Sequence, residues 1–255
     1  MKAIAILNLK GGVGKTVTAV NMAHILAADH KQRVLLVDCD SQCNATEFFG
    51  VRPGMGTVTL ADILRGDFEP YVSELVAGTD YPGVDVIPGS DELMDMDMSQ
   101  ITSQRVNGRV LADLCCTIGE DDEYDYVLFD CPPAFNAASA AALLAADEVI
   151  IPIRLDYYST GGMANLAEQL QHMRAINPRL SVLGVLVTQF THMADEKEAL
   201  AAIRGGALPV FETVIRFSKA VPSATFQKVP LPVARPYCAA SKDYAELVKE
   251  ISGRC

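Results

Sequence analysis

Three glycines and two lysines lie within seven residues near the start of the sequence, in the stretch Lys10–Thr16 (Lys-Gly-Gly-Val-Gly-Lys-Thr). Glycines let backbone N–H groups turn inward around an anion, because no Cβ blocks the approach. Lys15 can then reach the outer phosphates of a nucleotide, and the hydroxyl of Thr16 can bind Mg²⁺. The expected cofactor-binding residues of this loop are Gly11, Gly12, Val13, Gly14, Lys15, Thr16 and Val17.

The loop departs from the common phosphate-loop pattern G-x-x-x-x-G-K-S/T at one position. Gly14, Lys15 and Thr16 match the end of that pattern, but Leu9 occupies its first glycine position. A second lysine, Lys10, opens the loop instead. The alternative interpretation is a glycine turn at the start of a helix that binds nothing. Turn chemistry alone does not explain two lysines that bracket the glycines, so we favour phosphate binding.

Three aspartates lie at or just after the ends of apolar runs that are typical of buried strands. Asp38 and Asp130 end such runs, and Asp40 follows two residues after Asp38. Ligands of parallel sheets bind beyond the carboxyl ends of the strands, so we expect all three near the glycine loop. Carboxylates gathered there repel one another unless a divalent cation is present. We therefore predict an Mg²⁺-nucleotide site in which Thr16 and Asp130 hold the metal; the alternative is that the three aspartates cap turns.

Strands and helices alternate along the sequence. Apolar runs predict seven strands, at Ala3–Asn8, Arg33–Asp38, Val84–Pro88, Tyr124–Asp130, Glu148–Ile153, Leu180–Thr188 and Val210–Ile215. Segments with helical spacing are Val17–Ala28, Thr59–Arg65, Val110–Ile118, Asn136–Ala146, Gly162–Ile176, Ala194–Arg204 and Ser241–Ile251. This order predicts an α/β fold with a doubly wound, mostly parallel β-sheet and helices on both faces. We find no internal repeat or linker and expect a single domain over residues 1–255.

Composition and charge restrict the kinds of partner. Half of the 255 residues are hydrophobic, which allows a large core. The net charge of −11 argues against a broad nucleic-acid-binding surface. A local basic patch is still open, with ordinary surface charge as the alternative. The residues available for it are Lys197, Arg204, Arg216, Lys219 and Lys228.

The seven cysteines form no CxxC and no zinc pattern, so we expect reduced and mostly buried thiols. The alternative is an iron–sulfur cluster that bridges two subunits, as in a distantly related reductase. Apolar runs are strand-sized, which predicts no membrane span. The first predicted strand begins at Ala3, which leaves no room for a signal peptide or a preceding DNA-binding domain. We expect a cytoplasmic protein that binds no specific operator.

Five segments together carry a resemblance to a known family. Lys10–Thr16 resembles its deviant Walker A motif, Val37–Thr46 its second motif, and Asp130–Pro133 its Walker B motif. Glu212–Ile215 and Ser241–Leu247 resemble the last strand and final helix of its Soj-like branch. This is the ParA/MinD family of deviant Walker A ATPases, which has the P-loop NTPase fold.

The resemblance implies an ATPase with ATP and Mg²⁺ as cofactors, slow until a partner stimulates it. It implies that Lys10 crosses a nucleotide-sandwich homodimer and touches the phosphates bound by the partner subunit. Asp40 would orient the attacking water, and Asp38 would support Mg²⁺ through its waters. The implied catalytic residues are Lys10, Lys15 and Asp40. Tyr157, Tyr158 and Ser159 occupy the place of a nucleotide-responsive switch segment.

The sequence departs from the family pattern at two places. Val17 stands where the family usually has a second Thr or Ser that binds the α-phosphate. The loss of one hydrogen bond predicts nucleotide binding weaker by about 1 kcal/mol. Arg216-Phe217 stands where chromosomal relatives have Pro-Arg. We place the adenine near Gln189 and Arg216.

Three functions are compatible with the sequence. The resemblance favours DNA segregation, in which an ATP-bound dimer binds DNA without sequence preference on the nucleoid. A centromere-bound, ParB-like protein then stimulates hydrolysis and release. A MinD-like membrane cycle needs a basic amphipathic C-terminal helix, and the mixed acidic segment Tyr244–Ile251 argues against it. The third alternative is a switch that positions another cargo.

Overall fold

The computed structural model describes residues 1–52, 54, 57–66, 72–156 and 159–253. Within these ranges seven strands form one sheet: β1 Lys2–Ile6, β2 Val34–Asp38, β3 Ala77–Gly78, β4 Val84–Ile87, β5 Tyr126–Asp130, β6 Glu148–Arg154 and β7 Ser181–Thr188. Their order across the sheet is β3-β4-β2-β5-β1-β6-β7, and every neighbouring pair is parallel except β3 with β4. Because β1 lies between β5 and β6, the loop after β1 opens at a crevice of the sheet.

Helices connect the strands. The α-helices of the described residues are α1 Lys15–Ala28, α2 Asn44–Phe48, α3 Leu60–Arg65, α4 Val72–Leu75, α5 Met98–Thr102, α6 Val110–Glu120, α7 Ala137–Ala145, α8 Ser159–Ile176, α9 Ala194–Arg204, α10 Ala220–Phe226, α11 Leu231–Ala234 and α12 Ala239–Gly253. Local signals fix several starts: Thr59 forms a capping box with Asp62, and the Asn136 side chain accepts the N–H of Ser139. Every helix described is too short or too polar to cross a bilayer.

The two faces of the sheet are covered by different helices. Ala3 and Ala5 of β1 belong to a buried cluster with residues of α3, α6, α7 and α8, whereas Ile4 and Ile6 belong to a second cluster with residues of α1, α2, α10 and α12. Alternate residues of a strand point to opposite faces, so every strand except the two-residue β3 contributes to both clusters. The prediction of a mostly parallel sheet with helices on both faces is confirmed.

The predicted strand Val210–Ile215 is wrong. Within the described residues this segment runs beside β7 and forms one isolated bridge with it, Val185 with Val210. The N–H groups of Phe211 and Ile215 donate to the carbonyls of Val185 and Val187, but between them Glu250 accepts the N–H groups of Glu212 (2.9 Å) and Thr213 (3.0 Å). Nη2 of Arg204 donates to the carbonyl of Glu212 at 2.9 Å. The sheet has seven strands because it includes β3, a two-residue antiparallel edge strand that no apolar run predicts.

Candidate functional site

The glycine loop joins β1 to α1 at the carboxyl edge of the sheet. Gly12 (φ 73°) and Gly14 (φ 88°) have left-handed backbone conformations that residues with a Cβ rarely adopt. Gly14 is the N-cap of α1, so the loop leads directly into the first helical turn. The free N–H groups of that turn carry partial positive charge, which makes the loop an anion-binding site.

Two residues outside the predicted site hold the loop in place. The hydroxyl of Thr188, at the end of β7, lies 2.8 Å from the carbonyl oxygen of Val13 and 3.0 Å from that of Ile153, and donates to either. The side-chain oxygen of Asn8 accepts the N–H of Lys10 at 2.9 Å. Both residues end or follow apolar runs, so the rule that ligand sites lie beyond strand ends could have found them.

Lys15 is buried within the loop, with 7% of its surface exposed. Its ammonium donates to the carbonyl oxygen of Lys10 at 3.1 Å. Burial lowers the pKa of Lys15, and the charge of Asp130 acts in the opposite direction. The ammonium is thus held where the loop N–H groups converge, as a phosphate-binding lysine requires.

Asp38 and Asp130 lie directly opposite each other in the register of β2 and β5, and both side chains are buried. Neither oxygen of Asp130 accepts a hydrogen bond from any residue that the structure describes. Burial, followed by the charge of Asp38, raises the pKa of Asp130 well above its usual value. The nearby hydroxyl of Thr16, outside hydrogen-bonding geometry, and the charge of Lys15 oppose this shift. A cation would complete this arrangement.

The second carboxylate, Asp38, already has partners. Its Oδ2 accepts the N–H (2.8 Å) and the hydroxyl (2.6 Å) of Thr46, and its Oδ1 accepts the N–H of Asp40 at 3.2 Å. Burial raises the pKa of Asp38 to about 6, although the bonds from Thr46 oppose the shift. Asp40 lines the neighbouring cleft and accepts the N–H of Gln42 at 3.0 Å. Asp38 therefore fixes the loop that carries Asp40.

The residues around Asp130 fit a magnesium ion that binds together with a nucleotide. Mg²⁺ prefers oxygen ligands, keeps several waters and takes few groups from the protein. The unpaired oxygens of Asp130 and the hydroxyl of Thr16 are such groups. Asp38 is suited to contact the ion through water, because its Oδ2 already accepts hydrogen bonds from Thr46. No group of three or more His, Cys, Asp or Glu in the described ranges could hold a metal by itself.

A cleft of about 690 Å³ opens over the glycine loop. Its walls come from the loop and α1, from α2 with the segment before it, and from the end of α10. Lining residues that bear on the chemistry are Gly11, Gly12, Gly14, Lys15, Thr16, Val17, Asp40, Glu47, Gln189, Phe226 and Lys228. The volume is that of a typical small-molecule site.

A smaller cavity of about 160 Å³ continues past Gly14 and Val17, lined by Gln189, Arg216 and Phe217. The predicted adenine residues thus lie together, but their polar groups have protein partners. The amide of Gln189 donates to the carbonyl of Gly12 at 2.8 Å. Nη2 of Arg216 donates to Oδ1 of Asp243 at 2.6 Å. Contact of either side chain with a base stays a prediction.

Lys10 faces an acid of its own chain. Its ammonium lies 2.5 Å from Oδ1 and 2.6 Å from Oδ2 of Asp156. Tyr157 and Tyr158 of the predicted switch lie outside the described residues; Ser159 begins α8. The role of Lys10 in a partner subunit therefore stays a prediction, and its partner in the single chain is Asp156.

The basic residues considered for nucleic-acid contact differ in their surroundings. Arg204 pairs with Glu212, Arg216 with Asp243 and Lys228 with Glu47. Lys197 and Lys219 are exposed, and no ion pair within the described ranges involves them. The described cysteines carry free thiols, and Cys39, Cys115 and Cys131 are buried.

Comparisons with known proteins agree with this geometry. A family model described as an AAA domain matches residues 1–182. The chromosome partitioning protein ParA of Caulobacter vibrioides is 34% identical over 257 residues, which cover 100% of this chain and 95% of that protein. The chromosome-partitioning ATPase Soj of Thermus thermophilus is 36% identical over 259 residues, covering 100% and 96%.

Two similar solved structures hold nucleotides. A variant of Cyanothece McdA in complex with ATP is 26% identical, with a TM-score of 0.85 over 99% of this chain and 96% of that one. A cobyrinic acid a,c-diamide synthase from Mycobacterium smegmatis with bound ADP and magnesium is 26% identical, with a TM-score of 0.80 over 98% and 93%. These ligands are the cofactors that the sequence predicts. The chain therefore belongs to the ParA/MinD family of ATPases.

Proposed function

We propose that this chain is an ATP-dependent switch of DNA segregation. Mg-ATP joins two copies in a sandwich dimer, the dimer binds DNA without sequence preference, and a centromere-bound, ParB-like partner stimulates hydrolysis and release. The observation that carries the nucleotide chemistry is the buried, unpaired carboxylate of Asp130 beside Lys15 and the glycine loop. The names of the Caulobacter and Thermus relatives support the segregation role. We propose that residues 1–255 act as one unit, in the cytoplasm on the nucleoid.

Residues of the cleft are placed to bind the phosphates and to orient the attacking water. The N–H groups of the loop and the ammonium of Lys15 bind the outer phosphates and take up their charge. Asp40, fixed by Asp38 and Gln42 at the cleft wall, accepts a hydrogen bond from the attacking water and orients it. Thr16 and Asp130 would hold a magnesium ion, which would neutralise phosphate charge when bound.

Lys10 links this chemistry to dimer formation. In the single chain its ammonium is bound to Asp156, so it is not available to its own phosphates. Both side chains are about one third exposed, which keeps the ion pair weak enough to exchange. A triphosphate on the partner subunit offers a stronger, charge-assisted partner. Hydrolysis would then require two copies, because neither provides this cation to itself.

DNA contact must come from few residues, because the protein is acidic. Lys197 and Lys219 are the exposed candidates, which gives four lysines in a dimer. Four phosphate contacts predict a slope of about −4 in log affinity against log salt concentration. A helix-based membrane contact has less support, since Tyr244, Leu247, Val248 and Ile251 of α12 are buried against the sheet.

DNA co-sedimentation with ATP, with ADP and without nucleotide, at two salt concentrations, tests the proposal. We expect binding that needs ATP and weakens with salt, and that falls in a double variant with Lys197→Ala and Lys219→Ala. Anionic vesicles serve as the parallel arm. Binding to vesicles but not to DNA would favour a MinD-like cycle, and binding to neither in any state would favour another cargo.

A further inference from the structure

The cleft contains a second lysine that the mechanism above does not use. Lys228 follows α10 and lines the same cleft as Lys15. Its ammonium lies 3.2 Å from Oε2 of Glu47 on α2, which also lines the cleft. The ion pair therefore joins two walls of the nucleotide cleft.

The backbone holds Lys228 at this rim. Its φ of 54° is left-handed, a conformation that costs energy for a residue with a Cβ. The N–H of Lys228 donates to the carbonyl of Thr225 at 3.0 Å, and the next N–H, of Val229, donates to that of Ala224 at 3.1 Å. These bonds close the end of α10 in a tight turn. The turn fixes where the long side chain starts, and the flexible four-carbon stem lets its ammonium reach more than one acceptor.

The first turn of α1 has an apolar side chain at its third position. Val17 is the third residue of α1 and lines both the cleft and the smaller cavity behind it. In the proposed site the loop takes the outer phosphates, which places the inner, α-phosphate nearer the first turn of α1, where Val17 lines the cleft. A valine side chain offers it neither a hydrogen bond nor a charge, and an unpaired charge is costly in a partly enclosed site.

The charges of the cleft favour an exchange of partners by Lys228. Its pair with Glu47 is exposed, with 53% and 66% of the side chains accessible, and exposed pairs are weak. Among the described residues that line the cleft, the cations are Lys15 and Lys228. The ammonium of Lys15 already donates to the carbonyl of Lys10 in the loop. A phosphate oxygen is a stronger acceptor for the Lys228 ammonium than the exposed carboxylate of Glu47.

We propose that Lys228 is a nucleotide-binding residue that leaves Glu47 and contacts the α-phosphate, in place of the hydroxyl that Val17 lacks. The inference rests on the nucleotide site of the proposed function and adds a residue to it. It also removes Lys228 from the residues available to DNA.

Equilibrium binding of ADP and of adenosine to the full chain, with Mg²⁺, tests the proposal. Lys228→Ala should weaken ADP binding roughly tenfold, as expected for a hydrogen bond to a charged group, and leave adenosine binding unchanged. Lys228→Arg should retain most of the affinity. Val17→Thr should recover several-fold more affinity in the Lys228→Ala background than in wild type, because the two groups serve one phosphate. Glu47→Gln should strengthen ADP binding.

The matched control is Lys31→Ala. Lys31 is an exposed lysine that also has a left-handed backbone (φ 59°) just after a helix, and it lies outside the cleft. ADP affinity of Lys228→Ala within twofold of wild type would overturn the proposal, as would equal losses for ADP and adenosine. Failure of the wild-type chain to bind ADP or ATP would overturn the nucleotide site itself.

Discussion

The ammonium of Lys10 lies 2.5 Å from Oδ1 of Asp156 in the same chain. Lys10 opens the glycine loop, and Asp156 follows β6 directly before residues 157–158. The family resemblance implies that Lys10 reaches a partner subunit. In the single chain, however, Lys10 is bound to Asp156 of its own chain. We interpret this ion pair as the contact that must break when two copies close on ATP.

Asp156→Asn should release Lys10 and favour the dimer. We expect ATP-dependent dimers to form at several-fold lower protein concentration than in wild type, because one competing ion pair is removed. Analytical ultracentrifugation over a concentration series measures this. Asp122→Asn is the control, since Asp122 also forms an ion pair, with Arg33, but away from the glycine loop. An unchanged or weaker dimer in Asp156→Asn would contradict the interpretation.

Asp40→Ala should uncouple nucleotide binding from hydrolysis. Because Asp40 is the residue proposed to orient water, we expect turnover to fall by about 100-fold or more, while the proposed ATP-bound dimer accumulates. Phosphate release and sedimentation on the same sample measure both quantities. The hydrogen bond between Thr46 and Asp38 holds the loop without the Asp40 side chain, so the substitution should leave the fold intact. Hydrolysis at the wild-type rate would remove Asp40 from the mechanism.

Asp130→Asn should stabilise the nucleotide-free protein while abolishing Mg²⁺-dependent nucleotide binding. Asp130 is buried without a hydrogen-bond partner in the described structure, so a neutral amide of equal size relieves an unpaired charge. We expect the free energy of unfolding at pH 7 to rise by about 1–3 kcal/mol in urea titrations. Asp125→Asn is the control of opposite sign, because bonds from Arg33 lower the pKa of Asp125 and favour its charged form.

The gain in the free energy of unfolding of Asp130→Asn should disappear at low pH. A carboxyl whose pKa is raised by folding adds stability at low pH, and that stability is lost as the pH rises through the folded-state value. For Asp38 the window runs from the ordinary 3.8 to about 6. Asp130 shifts in the same direction, so wild type and Asp130→Asn should converge in stability as the pH falls. Divergence towards low pH would contradict the assignment of an unpaired carboxylate.

Two glycines of the loop should respond differently to alanine. Gly14 has a φ of 88°, so Gly14→Ala should lower the free energy of unfolding by about 1–2 kcal/mol. Gly11 has no such constraint, and a Cβ there meets no atom within 4 Å. Gly11→Ala should therefore keep its stability but lose nucleotide affinity, because the methyl group blocks the phosphate. Equal losses of stability in both variants would argue against this division.

Residues that directly end or follow an apolar run were predictable from the sequence. Asp38 and Asp130 were found this way, and the register of β2 and β5 brings them together. Asp156 was not predictable as the partner of Lys10, because the two residues are separated by 146 positions and joined only through the order of strands. The predicted strand at Val210–Ile215 was wrong because the Glu250 side chain, which no apolar pattern reveals, binds two N–H groups in its middle and interrupts the bonding to β7.

The proposed switch requires Mg-ATP to be held between two copies of the chain that exchange Lys10. Sedimentation velocity of wild type and Lys10→Ala, with Mg-ATP, Mg-ADP and no nucleotide, tests this most directly. We predict dimers for wild type with ATP alone, and monomers that still bind nucleotide for Lys10→Ala. A wild-type chain that stays monomeric with every nucleotide, or a Lys10→Ala variant that dimerises and hydrolyses ATP normally, would contradict it.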